Sequence, residues 1–317
     1  MYATLLRILL LIALYLPAAL QAQPLPQVRV GVLQYGTGHW ELANIQNAGL
    51  DRAQGYELVP VPLANSSAAL LALTSGSVDW IIGDWVWAAK RSQSGDPLRF
   101  LPFSSRIGEV MVPVSSSIDS VASLVGKRVG VAGGPNGKSW QLLYAAAKQQ
   151  GVDLQKEAEV VFGAPPLLSR ELESGRLDAL LTFWHFAARL EAQGRFKTAF
   201  SAQSISVTLG IDERLPMLGY LAEEKWIIEN QKLAMAFERS VYISKEQLRS
   251  DEPWRAIRPL MRAESDAVFD ALKEGYRKGE PHRALDATLI SSARRAWPLL
   301  GGDGELPVGI FDGVGAQ

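Results

Sequence analysis

The chain has 317 residues, 48% of them hydrophobic, and a formal net charge of -1 at pH 7. That is enough chain for two lobes with separate cores, and the balanced charge argues against a nucleic-acid partner, which needs a concentrated basic surface. The absence of cysteine excludes disulfides, thiolate metal sites and cysteine nucleophiles.

Arg7 precedes an apolar run from Ile8 to Leu16, which is broken by Pro17 and followed by Ala18, Ala19 and Ala22. The run is well short of the ~20 residues needed to span a bilayer. A positive start, a short apolar core and small residues before a polar stretch predict a cleavable secretory signal over residues 1–22. The mature protein is therefore expected in the periplasm.

The next elements come in two matched sets. A β-branched strand at Val28–Leu33 runs into a loop, a helix covers Trp40–Leu50, and a second strand covers Tyr56–Leu63. A short helix at Ala68–Gly76 and an apolar strand at Val78–Gly83 close the set. The same order follows at Arg128–Ala132, Trp140–Gln150, Ala158–Phe162, Leu167–Gly175 and Leu177–Phe183. Arg29-Val30-Gly31-Val32 returns as Arg128-Val129-Gly130-Val131, and Gly38 is matched by Gly137. Leu73 to Asp79 is echoed by Leu172 to Asp178, and Trp85 by Trp184, every pair 99 residues apart. Two separated blocks at one offset mark two similarly built units, not a solenoid.

Apolar strands alternating with helical patterns predict βαβ units and mostly parallel, mixed sheets flanked by helices, an α/β fold in two lobes. Between the units, Phe100–Val114 reads as extended and crosses between lobes. A second extended stretch is expected at Ala202–Leu209, then helices near 223–232, 233–249, 254–262, 265–278 and 284–297. The first lobe is expected to comprise residues 23–113 plus 203–317, and the second residues 114–202. Two crossing strands would form a hinge. The Gly-rich tail from Gly301 is expected to be loosely held.

Right-handed crossovers put every strand-to-helix loop at one sheet edge, where ligands of such sheets bind. Ala132-Gly133-Gly134-Pro135-Asn136-Gly137-Lys138-Ser139 nearly fits a phosphate loop, with Ala132 in place of the first glycine. The matched loop of the first unit lacks the lysine, and no later apolar strand ends in a magnesium-holding aspartate. Nucleotide hydrolysis is therefore disfavoured. The loop instead points to an anion contact by Asn136, Gly137, Lys138 and Ser139, through backbone N–H groups, the helix dipole and one ammonium. A solvated lysine beside a glycine turn is the plain alternative.

The third strands end in Asp84-Trp85-Val86-Trp87 and Phe183-Trp184-His185-Phe186. Asp84, Trp85, Trp184 and His185 offer an acid and aromatic walls to a ligand, although either tryptophan could equally pack the core. Tyr35, Thr37 and His39 in the first loop, with Asn65 and Ser66 after the second strand, complete the polar set. Asn65 and Ser66 could also simply cap the following helix. His39, His185 and His282 show no metal-ligand spacing, and no GxSxG elbow is present. Asp79 and Asp178 lie at the opposite sheet edge and read as structural. No metal, cofactor or catalytic centre is expected.

Arg29–Val32, Ala69–Asp84 and Ser123–Val131 together resemble the substrate-binding proteins of ABC importers in the nitrate, sulfonate and taurine class. Ser-Leu-Val-Gly-Lys-Arg-Val-Gly-Val resembles that family's L-x-G-K-x-V-x-V segment, and Leu172–Leu181 resembles its repeat. The likeness spans roughly residues 27–210. It implies a two-lobed type II periplasmic-binding-protein fold, a small-molecule ligand in a hinged cleft, and a membrane permease as partner of a monomer. Asp84 in one lobe and Lys138 in the other suit an anionic or zwitterionic, sulfonate-like ligand. Two other readings stay open. One is an accessory protein of the same fold that docks on an exported enzyme such as a dehydrogenase. The other is an enzyme on that fold, of which the pyrimidine-precursor synthases would call for a cysteine motif this chain lacks.

Overall fold

Two five-stranded sheets organise the chain in a computed structural model that describes residues 24–34, 36–281 and 285–314. The expected signal segment, residues 1–22, and Tyr35 lie outside the described residues. The first unit contains β1 (Gln27–Leu33), α1 (Gly38–Asn47), α2 (Leu50–Ala53), β2 (Glu57–Leu63), α3 (Ser66–Thr74), β3 (Trp80–Asp84), α4 (Trp85–Gln93) and β4 (Leu98–Ser104). The chain then crosses into β5 (Gly108–Pro113), β6 (Arg128–Ala132), α5 (Lys138–Gln149), α6 (Leu154–Glu157), β7 (Glu159–Gly163), α7 (Pro165–Glu173), β8 (Ala179–Phe183), α8 (Trp184–Glu191) and β9 (Phe196–Ser201). It returns through α9 (Ala202–Thr208) to β10 (Leu218–Glu223). Five helices follow: α10 (Glu224–Glu229), α11 (Gln231–Leu248), α12 (Glu252–Met261), α13 (Asp266–Lys278) and α14 (Ala287–Leu299). Among the described residues no helix is long and apolar enough to cross a membrane.

The strand orders are β2-β1-β3-β10-β4 and β7-β6-β8-β5-β9. In each sheet the first three strands are parallel, and the crossing strand, β10 or β5, runs antiparallel to both neighbours. This is an α/β architecture of two mixed sheets flanked by helices. The repeat has a physical basis at the start of β1 and β6. The Arg29 backbone N–H and guanidinium both donate to Asp79, at 2.7 and 2.6 Å, and Arg128 does the same to Asp178 at 2.8 and 2.9 Å. Each aspartate therefore ties the beginning of one strand to the turn before the next, opposite the loop edge.

Three expectations are corrected. The first crossing is Ser105–Ile107, so Gly108–Pro113 belongs to the second sheet, where it pairs with β8 and β9. Residues 202–208 are helical, not extended. Alternating Ile205, Val207 and Leu209 suggest a strand, but Ser201 and Ser204 form a reciprocal capping box, each backbone N–H donating to the other's hydroxyl (3.1 and 3.0 Å). The resulting helix leaves Val207 54% exposed and packs on α5, which moves the return crossing downstream of residue 203. The tail is also held as far as Val314. Phe311 packs edge-on against Trp85 and Phe100, and Ile310 and Val314 are buried.

A single apolar cluster joins Trp85, Phe100 and Trp297 of the first half to Val110, Trp140 and Leu143 of the second. The opposite face of the first sheet packs Val28, Val30 and Trp80 on α1 and α11. Each such fully buried aliphatic side chain is worth about 1.5–3 kcal/mol. Within this second cluster lies a wholly buried carboxylate, Glu41 of α1. It accepts from Lys245 Nζ (2.7 Å) and the Tyr220 hydroxyl (2.8 Å), and the Tyr276 hydroxyl also donates to it. Lys245 donates further to the Phe103 carbonyl (3.1 Å). Desolvation, with Glu41 adjacent, pushes both tyrosine hydroxyls well above their ordinary range. The network locks the helix that follows the first loop to β4, β10 and α13.

Candidate functional site

The carboxyl ends of β1, β3, β6 and β8 turn their loops toward the seam between the sheets. Close packing shapes these turns. A Cβ at Gly38 would lie 2.2 Å from Ile82 Cδ1, so any larger residue there must displace the tip of the Ile82 side chain for α1 to start against β3. Gly133, leaving β6, has φ +91, which a side chain strains to adopt.

Lys138 opens α5 directly after the Gly137 N-cap, and Asp84 ends β3. Their charges meet across the seam, Lys138 Nζ lying 3.7 Å from Asp84 Oδ1, with both side chains partly exposed. Lys138 also donates to Gln141 (3.4 Å), and Asp84 Oδ1 accepts from the Trp87 backbone N–H (2.9 Å) as the cap of α4. Two groups expected to face one cleft from opposite sides are thus brought together. Ser139 packs its hydroxyl against Gly108, at the start of the crossing strand β5, and Asn136 stays exposed.

Other expected residues are distributed less evenly. Thr37 is buried just ahead of α1, and His39 is half-buried in its first turn. Desolvation lowers the His39 pKa against a hydrogen bond with the Leu33 backbone, and Arg262 adds to the lowering. Asn65 and Ser66 are exposed, and Asn65 caps α3 by accepting from the Ala68 N–H (2.9 Å).

The matched tryptophans part company. Trp85 is 0% exposed, packed on Trp297 (6.4 Å) and Phe311 (5.9 Å) inside the first half, so it offers no ligand face. Its expected ligand role is corrected. Trp184 is also buried, but at the seam, edge-on to Trp40 (6.0 Å) and against Gly275 of α13. His185 stacks among Phe183 and Phe186, and desolvation, reinforced by Arg189, pushes its pKa down to about 3.

Sequence reasoning missed two arginines. Arg106, in the crossing segment, lies over the Trp184 ring (5.3 Å), donates to the Gly275 carbonyl (3.2 Å) and pairs with Glu109. Arg189 of α8 reaches the other half and donates to the carbonyls of Met261 (2.6 Å) and Arg262 (2.9 Å) at the end of α12. Arg262 there adopts the left-handed region, φ 49. Neither arginine belongs to a motif. Only the Pro-flanked crossing segment hinted at Arg106. Among the described residues no group of three or more His, Asp or Glu side chains is placed to hold a metal ion.

The model of the NMT1/THI5-like family matches residues 102–251, just under half of the chain. No curated protein matches the sequence. Solved structures share the fold over most of the chain. The periplasmic aliphatic sulphonate binding protein SsuA from Escherichia coli superposes with a TM-score of 0.67 at 17% identity, covering 90% of this chain and 97% of that one. The alkanesulfonate-binding protein SsuA from Xanthomonas axonopodis pv. citri, bound to MOPS, gives 0.68 at 16% identity, covering 91% and 99%. The periplasmic nitrate-binding protein NrtA from Synechocystis PCC 6803 gives 0.57 at 14%, covering 79% and 69%. At these identities the likeness establishes the fold, that of periplasmic binding proteins.

Proposed function

We propose that this is an exported solute-binding protein that captures a small anionic or zwitterionic, sulfonate-like molecule between its two lobes and delivers it to the permease of an ABC importer. The observation that carries the reading is the juxtaposition of Lys138 and Asp84 across the seam. A ligand anion would replace Asp84 as partner of the ammonium, helped by the N–H groups and dipole at the start of α5. A ligand ammonium would take the released carboxylate. Tyr35, Thr37, His39, Asn65, Ser66, Asn136, Gly137, Ser139 and His185, which follow the carboxyl ends of β1, β2, β6 and β8 in the chain, are the polar groups this reading assigns to the ligand. The shared fold with periplasmic sulfonate- and nitrate-binding proteins supports the solute class, and the expected signal at residues 1–22 supports export. The reading assigns no catalysis, cofactor or metal.

Native mass spectrometry of the purified protein tests for a co-purified small anion or zwitterion. Calorimetry with an aminosulfonate, an alkanesulfonate, nitrate and neutral heterocycles then ranks the classes. Lys138→Ala is expected to weaken the best ligand by about 1–3 kcal/mol, the scale of a charged hydrogen bond. Binding confined to neutral heterocycles, or affinity unchanged in that variant, would overturn the assignment.

A further inference from the structure

Away from the apposed loops, a cavity of about 320 Å³ opens at the margin formed by β4 and β9. Its size lies at the lower end of small-molecule pockets, ~300 Å³ and up. Both halves contribute to its wall. Ser105 and Glu213 come from the segments entering and leaving the crossings, Glu109 from β5, Gln203 from α9 and Lys278 from the last turn of α13.

Most of its charges are already committed. Arg106 pairs with Glu109, Arg214 with Asp212 (2.6 Å), and Glu280 with Arg249 (2.8 Å). Among the described residues Glu213, Gln203 and Lys278 make no side-chain hydrogen bond or ion pair. One carboxylate, one ammonium and one amide are thus left uncommitted around a single polar cavity. A simple anion would meet Glu213 and Glu109 as well as Lys278, and a simple cation would meet Lys278 and Arg214. A molecule carrying both charges satisfies both groups at once.

We propose that this cavity is a second small-molecule site, separate from the Lys138–Asp84 seam, that takes a small zwitterion with its ammonium toward Glu213 and its carboxylate toward Lys278. Because Glu109 and Gln203 stand on one half and Glu213 and Lys278 on the other, an occupant touches both and binds one relative arrangement of the halves better than others. Its occupancy is therefore linked to hinge motion.

The test uses the purified, ¹⁵N-labelled protein titrated with 4-aminobutyrate as probe. Saturable shifts are expected at the Gln203 side-chain amide and the Ser105 backbone amide. Lys278→Met and Glu213→Gln, both at exposed positions, should each weaken the probe about fivefold, the scale of one partly screened ion pair. In Lys138→Ala the same two amides should still shift saturably, with at most a change of midpoint through the hinge. Absence of saturable shifts at Gln203 and Ser105 overturns the proposal. So does a titration that survives both wall substitutions, or one abolished by Lys138→Ala, which would place the probe at the seam.

Discussion

The two repeat units share their foundations and differ at their tips. At the loop-distant edge both use the same bond, Arg29 to Asp79 and Arg128 to Asp178, with nearly the same lengths. At the loop edge Asp84 corresponds to Phe183, Val86 to His185, and Trp85 to a tryptophan with a different neighbourhood. Asp84 caps its helix and holds a charge at the seam, whereas Phe183 caps nothing and is 37% exposed. Even the outer strands differ. β2 carries Pro60 and Pro62, which cannot donate to an added strand, while β7 carries none and leaves Val161 and Phe162 exposed. A repeated scaffold fixes where the loops stand, and the residues that depart from the repeat set what those loops meet.

The largest test of that contrast lies in the tryptophans. Trp85→Ala should cost about 3–5 kcal/mol of stability in urea unfolding, as for a large aromatic lost from a core. It should leave hydrogen exchange in α1 and α13 unchanged. Trp184→Ala should instead raise hydrogen exchange in α1 and α13, which its ring bridges through Trp40 and Gly275. Equal stability losses with unchanged exchange would erase the distinction.

A smaller effect should separate Val86 from His185. The His185 pKa in the folded protein is about 3, below its ordinary 6.5, so the unfolded chain takes up the proton first. Its contribution is complete above pH 6.5 and is lost as pH falls toward 3. Between about pH 7 and 4 that amounts to about 2–3 kcal/mol, and His185→Val should flatten the profile over this window. A profile unchanged by the substitution would mean that the imidazole is hydrated in the folded state.

The smallest difference is expected where the units look most alike. Asp79 is 4% exposed and Asp178 34%. Asp79→Ala should cost about 1.5–3 kcal/mol in chemical unfolding, since it strands a charge-assisted backbone donor. Asp178→Ala should cost less, because water already reaches the Asp178 carboxylate, whereas the Asp79 carboxylate is buried. The reverse order would show that exposure does not govern these bonds.

Much of the scaffold was legible because it is written twice. The 99-residue offset located β1, β3, β6 and β8 and the helices behind their loops, and therefore the loop edge. β10 escaped notice, since its partners are β3 and β4, more than a hundred residues upstream, and no local pattern marks it. The stretch at 202–209 was misread because its apolar residues alternate, and a cap one residue earlier outweighed the alternation. At the candidate site, charge at a helix start and at a strand end pointed to Lys138 and Asp84, which stand 3.7 Å apart. The fates of Trp85 and Trp184 could not be separated, because the repeat makes them equivalent and only the packing of distant Trp297, Phe311 and Gly275 distinguishes them. Arg106 and Arg189 act through backbone carbonyls of remote helices, which leave no spacing to read.

The buried carboxylate of Glu41 also fixes an order in time. Its three side-chain partners lie 179, 204 and 235 positions further along the chain. Every strand of the second sheet, by contrast, falls between residues 108 and 201. As a chain emerges from its N-terminus, the second sheet has all its strands before β10, α11 or α13 exists. The first sheet must wait with an unsatisfied acid in its helix, a state that disfavours early burial. Until the last third of the chain is present, the first sheet therefore lacks both the strand that joins β3 to β4 and the groups that satisfy Glu41.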